Sequence, residues 1–174
     1  MNEKFLAINC SPHLGGSCDS LTRAAQEEGF FPVILREHDI APCNGCGACE
    51  NAACPHEDAA ARLLPRIRGS EKTVFITPLY FCNFPARAKA LIDRAQAFWT
   101  KREKCGAKLY LLAVGDQAEE LNFESVRLTF RAFCLTMGAE FAGARYLPHV
   151  GSAGLHPERG AFHSIMSCAA RQSQ

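Results

Sequence analysis

Four cysteines fall within twelve residues: Cys43, Cys46, Cys49 and Cys54, spaced C-x2-C-x2-C-x4-C and followed by Pro55. Gly45, Gly47 and Ala48 lie between them and let the backbone wrap closely around a guest. Thiolates select iron–sulfur clusters, zinc or copper(I). Zinc sites usually set two C-x2-C pairs across a longer stretch. The bacterial ferredoxin run is C-x2-C-x2-C-x3-C-P, and its fourth cysteine serves a second cluster. Here the last gap is one residue longer and no second run follows. All four thiols are therefore expected to ligate a single [4Fe-4S] cluster. Zinc, and an empty remnant of a cluster site, are the alternatives.

A second stretch with chemistry follows the first apolar run. Asn9-Cys-Ser-Pro-His-Leu-Gly-Gly-Ser-Cys-Asp-Ser-Leu21 is rich in glycine and hydroxyls. A loop of this kind entering a helix offers backbone N–H groups and the positive end of the helix dipole to an anion. Ser11 and Ser17 add hydroxyls, and His13 a further donor. The stretch is neither a GKS/T phosphate loop nor G-x-G-x-x-G. A monophosphate such as that of FMN suits it better than a pyrophosphate. The other reading is a plain turn with Ser17 as helix cap.

The elements that must position these loops alternate. Apolar runs at Phe5–Asn9, Phe31–Leu35, Lys72–Thr77, Lys108–Val114 and Glu140–Leu147 are expected strands. Helical periodicity covers Ser17–Glu28, Asp58–Ile67, Pro85–Lys101, Phe123–Met137 and 157–170. Gly29 and Gly138 are expected helix stops. Pro65 should break or kink the helix it sits in. Strands alternating with helices imply an α/β domain with a parallel sheet covered on both faces. One domain over 1–174 is expected, with the cysteine-rich loop 41–56 inserted in it. In such a sheet, ligands bind beyond the carboxyl ends of the strands, where the loop after the first strand lies.

A third segment, Thr77-Pro-Leu-Tyr-Phe-Cys-Asn-Phe-Pro-Ala-Arg-Ala-Lys-Ala-Leu-Ile-Asp-Arg94, resembles the corresponding stretch of flavodoxin-like NAD(P)H-dependent FMN reductases. With the four-cysteine loop, the chain resembles the iron–sulfur flavoprotein branch of that superfamily. The resemblance implies a flavodoxin-like three-layer fold with a five-stranded parallel sheet and bound FMN. It implies that Ser11, His13, Ser17 and Cys18 hold the phosphate. Pro78, Leu79, Tyr80, Phe81, Cys82 and Asn83 would line the isoalloxazine ring. Gly115, Asp116 and Gln117, after the fourth strand, would form the third contact loop. This chain departs from the family pattern at His13, where arginine or lysine is usual, and at Cys18, usually threonine or asparagine. It departs again at Cys82, usually glycine. Lys89 and Asp93, four apart on a helix, read as a structural ion pair.

Composition narrows the function. The net charge is +1 with scattered basic residues, which gives no basic face for nucleic acid. The N-terminal apolar run is about five residues, too short for a signal peptide or a membrane span. A cytoplasmic location is expected. Ten cysteines in a reducing compartment argue for metal or redox chemistry over disulfides. The six outside the loop read mostly as small buried hydrophobes. His149, His156 and His163 have no tight ligand spacing and read as surface or interface residues.

The expected function is an FMN-binding redox protein that moves electrons between the cluster or NAD(P)H and an acceptor. No side chain is assigned as catalytic acid or base. Its partners would be a small redox substrate or NAD(P)H, and ferredoxin; the family implies a homodimer or homotetramer. Two alternatives stand beside this reading: an NAD(P)H-dependent FMN or quinone reductase without a cluster, and a metal-binding or electron-carrier module without turnover.

Overall fold

The computed structural model describes residues 4–50, 53–101, 103–116 and 121–150, together with Phe162, Met166 and Ser167. Five strands form one parallel sheet: β1 (Phe5–Asn9), β2 (Phe31–Ile34), β3 (Lys72–Pro78), β4 (Lys108–Val114) and β5 (Glu140–Leu147). Their order is β2-β1-β3-β4-β5, the flavodoxin-like winding. The helices are α1 (Ser17–Glu27), α2 (Ala59–Arg68), α3 (Ala86–Arg94), α4 (Gln96–Trp99) and α5 (Leu121–Met137).

The strands are apolar throughout because both faces are covered. Alternate residues feed two cores. Leu6, Ile8, Phe75, Leu109, Leu111 and Ala113 pack with α2, α3 and α5. Ala7, Val74, Ile76, Leu112 and Val114 pack with α1 and Phe162 on the opposite face. On the first face Phe75 meets Phe130 edge-on at 5.1 Å and Phe133 at 5.5 Å. The three-layer fold expected from the sequence is therefore present.

Both expected glycine stops hold. Gly29 has φ 90°, and the amides of Gly29 and Phe30 reach back to Gln26 and Ala25 at 3.0 Å each. Gly138 has φ 66°, and a Cβ there would overlap the carbonyl of Glu103. No other residue closes α5 at that point.

Three expectations need correction. Pro65 does not break its helix, because α2 runs on to Arg68. The bond it forfeits is to the Ala61 carbonyl, and both residues are exposed, so that acceptor is open to solvation. The helix expected over Pro85–Lys101 divides at Ala95, where the chain tightens to three-residue bonds, Ala95 N–H to Ile92 and Phe98 N–H to Ala95. Local propensity does not demand that division. It falls beside Arg94, whose guanidinium bonds elsewhere in the fold. The third correction is minor: β2 ends at Ile34, and Leu35 opens a short 3-10 turn through Glu37. The helix expected at 157–170 lies outside the described residues except for Phe162, Met166 and Ser167, which are helical. No helix among the described residues is long and apolar enough to cross a membrane.

Candidate functional site

The first loop joins β1 to α1. Gly16 caps the helix and Ser17 is its first residue, so the expectation of Ser17 as cap is corrected. Ser11 is buried, and its Oγ accepts the His13 amide at 3.1 Å. The Ser11 amide in turn donates to Asn9 Oδ1 at 2.9 Å. These bonds curl the loop without using the amides of Leu14, Gly16 and Cys18, which have no partner among the described residues. Three unpaired amides at a helix start make an anion cradle. The His13 side chain is exposed at its rim. The Cys18 side chain faces the α1 core, where burial pushes its thiol up to about 12. Only the backbone of Cys18 is left for a phosphate.

Asp19 holds this loop, and the sequence reading gave it no role. It is buried and accepts from Asn9 Nδ2 at 2.7 Å, the Gly15 amide at 2.6 Å and Arg36 at 2.8 and 3.1 Å. Burial alone would raise its pKa; the Gly15, Arg36 and Asn9 bonds outweigh that and hold it below the ordinary carboxylate value. The one hint in the sequence was an acid in the first turn of a helix, which usually means only dipole compensation.

The second loop, 79–85, leaves the end of β3. Tyr80 and Asn83 exchange both backbone bonds, at 2.9 and 3.0 Å. Between them Phe81 and Cys82 take φ of 50° and 61°. That is a primed turn built without glycine, a strained conformation for both residues. Pro78, Cys82 and Asn83 are half-buried, Tyr80 is partly exposed, and the Phe81 ring is fully exposed. Leu79 packs against the main core, so its side chain supports the loop from beneath. Phe84 anchors the loop by packing on Phe130 at 6.2 Å.

The third loop follows β4. Gly115 is tied at both ends of its peptide, donating to Leu147 and accepting from Val150, each at 3.1 Å. A Cβ on Gly115 would overlap the Tyr146 hydroxyl. Tyr146 is stacked on Phe123 at 5.7 Å, and burial, then Asp116, raise its pKa. Asp116 is exposed, and Gln117 lies outside the described residues.

Ser11, Tyr80 and Pro85 meet at a cleft of about 670 Å³, with Cys10, Arg36, Ile40, Pro42, Arg87 and Ala90 in its wall. That is enough space for a cofactor-sized ligand. Arg36 supplies a cation beside the loop, which the His13 departure had left unaccounted for. Burial pushes the Cys10 thiol well up, so it stays neutral in this wall.

The cysteine loop borders a neighbouring cleft of about 170 Å³. Cys43, Cys46, Cys49 and Cys54 all line it, with His56, Arg94, Gln96 and Thr100. Gly45 and Gly47 have φ of 69° and 72°, reversing the chain between thiols. Among the described residues no three ligating side chains are already drawn to metal-binding distance. The donor set suits a soft metal centre, and the glycine hinges give the loop room to close on one. Both ends of the loop converge on α2 and α3. The Asp58 carboxylate caps α2, accepts the Ala41 amide at 2.9 Å and pairs with Arg94 at 2.7 Å. Lys89 and Asp93 form the expected pair at 2.6 Å on the exposed side of α3. Of the other cysteines, Cys10, Cys18 and Cys134 are buried as expected, Cys82 and Cys105 are intermediate, and Cys168 lies outside the described residues. His149 is exposed, while His156 and His163 also lie outside.

The comparisons agree with this fold. A family model described as NADPH-dependent FMN reductase matches residues 4–145. The "Iron-sulfur flavoprotein" of Methanosarcina thermophila is 29% identical over 134 residues, covering 71% of this chain and 70% of that protein. A protein of the same name from Archaeoglobus fulgidus is 32% identical over 98 residues, covering 53% of this chain and 49% of its own. An NAD(P)H:quinone oxidoreductase from Methanothermobacter marburgensis superposes with a TM-score of 0.70 at 16% identity, over 96% of this chain and 91% of that one. That last likeness is one of fold alone. With that family model matching residues 4–145 on this winding, the chain belongs to the NADPH-dependent FMN reductase family of flavin-dependent oxidoreductases and is similar to proteins named iron–sulfur flavoprotein.

Proposed function

We propose that this flavin-dependent oxidoreductase passes electrons between FMN seated on the three strand-end loops and a [4Fe-4S] cluster held by Cys43, Cys46, Cys49 and Cys54. When bound, FMN exchanges one or two electrons and the cluster one at a time. The Leu14, Gly16 and Cys18 amides hold the phosphate, with the α1 dipole behind them. The 79–85 turn presents Tyr80 and Cys82 to the ring, and Gly115 lets the third loop approach without a side chain in the way. No acid or base is required of the protein; its residues orient the ring and exclude water.

One observation carries the coupling of the two sites: they share walls. Pro42 borders the flavin cleft and Cys43, the next residue, borders the cysteine cleft. Helix α3 does the same, with Ala86 and Ala90 on the first cleft and Arg94 on the second. Residues four apart share a helix face, and this span of the axis is about 12 Å. NAD(P)H or another small redox compound would use the open side of the flavin, and ferredoxin the exposed cysteine loop. A homodimer or homotetramer would cover the Phe81 ring.

The thiols are not pregathered, which favours a second reading, an NAD(P)H-dependent FMN or quinone reductase whose loop stays empty. Anaerobic purification decides between them. Flavin absorbance with about four iron and four sulfide per chain supports the first. Flavin with NAD(P)H oxidation but no iron or sulfide supports the second, and zinc in their place makes the loop structural. Failure to bind FMN overturns both.

A further inference from the structure

Arg94 ends α3 with its side chain buried to 3% exposure. Its Nη1 donates to Asp58 at 2.7 Å and to the Ala41 carbonyl at 3.2 Å, and its Nη2 donates to the His56 carbonyl at 3.0 Å. Ala41 precedes Cys43 by two residues and His56 follows Cys54 by two. One guanidinium thus clasps the entry and the exit of the cysteine loop. Its third nitrogen is different. Nε is buried and has no hydrogen-bond partner among the described residues. An unanswered buried N–H is costly, more so on a charged group, and such groups are nearly always paired in folded proteins. The cleft Arg94 borders is the one lined by the four cysteines. Burial lowers the Arg94 pKa, but Asp58 and then Cys54 raise it by more, which puts Cys54 within reach of this side chain.

We propose that Arg94 is the positioning residue of the cysteine site: it clasps both ends of the loop and keeps its Nε–H for the sulfur of Cys54 once that thiolate ligates a soft metal centre. The inference rests on the metal-centre reading of the loop above. A charged N–H donor on a ligand sulfur orients it and withdraws electron density, which stabilises the reduced form of a cluster. Lysine in its place would keep the charge near Asp58 but has no planar fork to hold three acceptors and point a further donor elsewhere.

The test uses the full chain with Cd²⁺ as a thiolate probe, alongside anaerobic iron and sulfide reconstitution. Arg94→Lys is expected to bind FMN but to melt below the wild type, because the Ala41 and His56 carbonyls lose their shared donor. It should take Cd²⁺ about 10- to 100-fold more weakly, and any reconstituted cluster should have a lower midpoint potential. In the ¹⁵N-labelled wild type, one arginine Nε–H resonance should move downfield when Cd²⁺ is added. This measurement needs no variant and stands even if Arg94→Lys fails to fold. Unchanged Cd²⁺ affinity in Arg94→Lys, or no shifted arginine Nε–H in the wild type, overturns the proposal. A wild type that takes Cd²⁺ with these signatures but builds no iron–sulfur centre overturns the cluster reading and leaves the role of Arg94 standing. A wild type that takes neither overturns both.

Discussion

Asp19 and Arg36 meet as a two-pronged pair, Nη1 on Oδ1 at 2.8 Å and Nη2 on Oδ2 at 3.1 Å, beneath the loop that joins β1 to α1. Both side chains are largely buried. The pair is tied to Asn9 at the end of β1 and to the Gly15 amide, so one carboxylate fixes strand end, loop and helix start together.

Asp19→Asn should therefore destabilise the protein at neutral pH by about 3 kcal/mol, because it strands a buried guanidinium. The folded pKa of Asp19 lies below its unfolded value of about 3.9. Its contribution is then complete above that value and lost as pH falls through the lower folded pKa. Urea titrations across pH 2–7 should show wild-type stability falling below about pH 4. The variant should be weaker throughout and flatter in that window; parallel curves would contradict the assignment.

Cys82→Gly should stabilise the chain by about 0.5–1 kcal/mol. Relief of left-handed backbone strain, about 1–2 kcal/mol, exceeds the roughly 0.5–1 kcal/mol of extra chain entropy that glycine brings to the unfolded state. A higher denaturation midpoint at unchanged slope is the expected result. A lower one would mean that the Cys82 side chain makes contacts worth more than its strain.

Gly115→Ala brings a methyl group against the Tyr146 hydroxyl. Stacking on Phe123 limits the retreat of that ring. A cost of about 1–2 kcal/mol is expected, with weaker FMN binding. Tyr146→Phe in the same chain should recover part of both losses, since it removes the closest atom. Fluorescence titration of FMN into the single and double variants measures this. Equal affinities for all three proteins would show that the third loop does not depend on this approach.

Ser11→Ala removes the acceptor of the His13 amide. It should weaken FMN about 10-fold, near 1.4 kcal/mol, while changing riboflavin affinity little. An equal loss for both ligands would place Ser11 away from the phosphate.

Local patterns carried much of this protein's description. Apolar runs gave away strands buried on two faces, and glycine after an apolar period marked the ends of α1 and α5. Both signals arise within a few residues of chain, where backbone sterics and periodicity act. Two of the expectations that failed had another origin. Pro65 was tolerated because the lost bond joins two exposed residues, Ala61 and Pro65, on the solvent side of α2. The helix division at Ala95 accompanies bonds that Arg94 makes to residues far along the chain. The 80–83 turn has no glycine, so propensity alone pointed away from a conformation that the buried Phe84 and the Tyr80–Asn83 bonds impose.

Read as a sequence, the chain specifies its alternating elements, its four closely spaced cysteines and a glycine- and hydroxyl-rich helix start, because residue type and spacing are local quantities. It does not specify the partners that hold these in place. Arg94 and Asp58 are 36 residues apart, and Asp19 and Arg36 are 17 apart. Such pairs form only once strand order brings their loops to the same end of the sheet, and no periodicity encodes that meeting. Folding in three dimensions sets the cysteine loop beside the strand-end cleft and leaves one N–H of Arg94 buried at their shared wall.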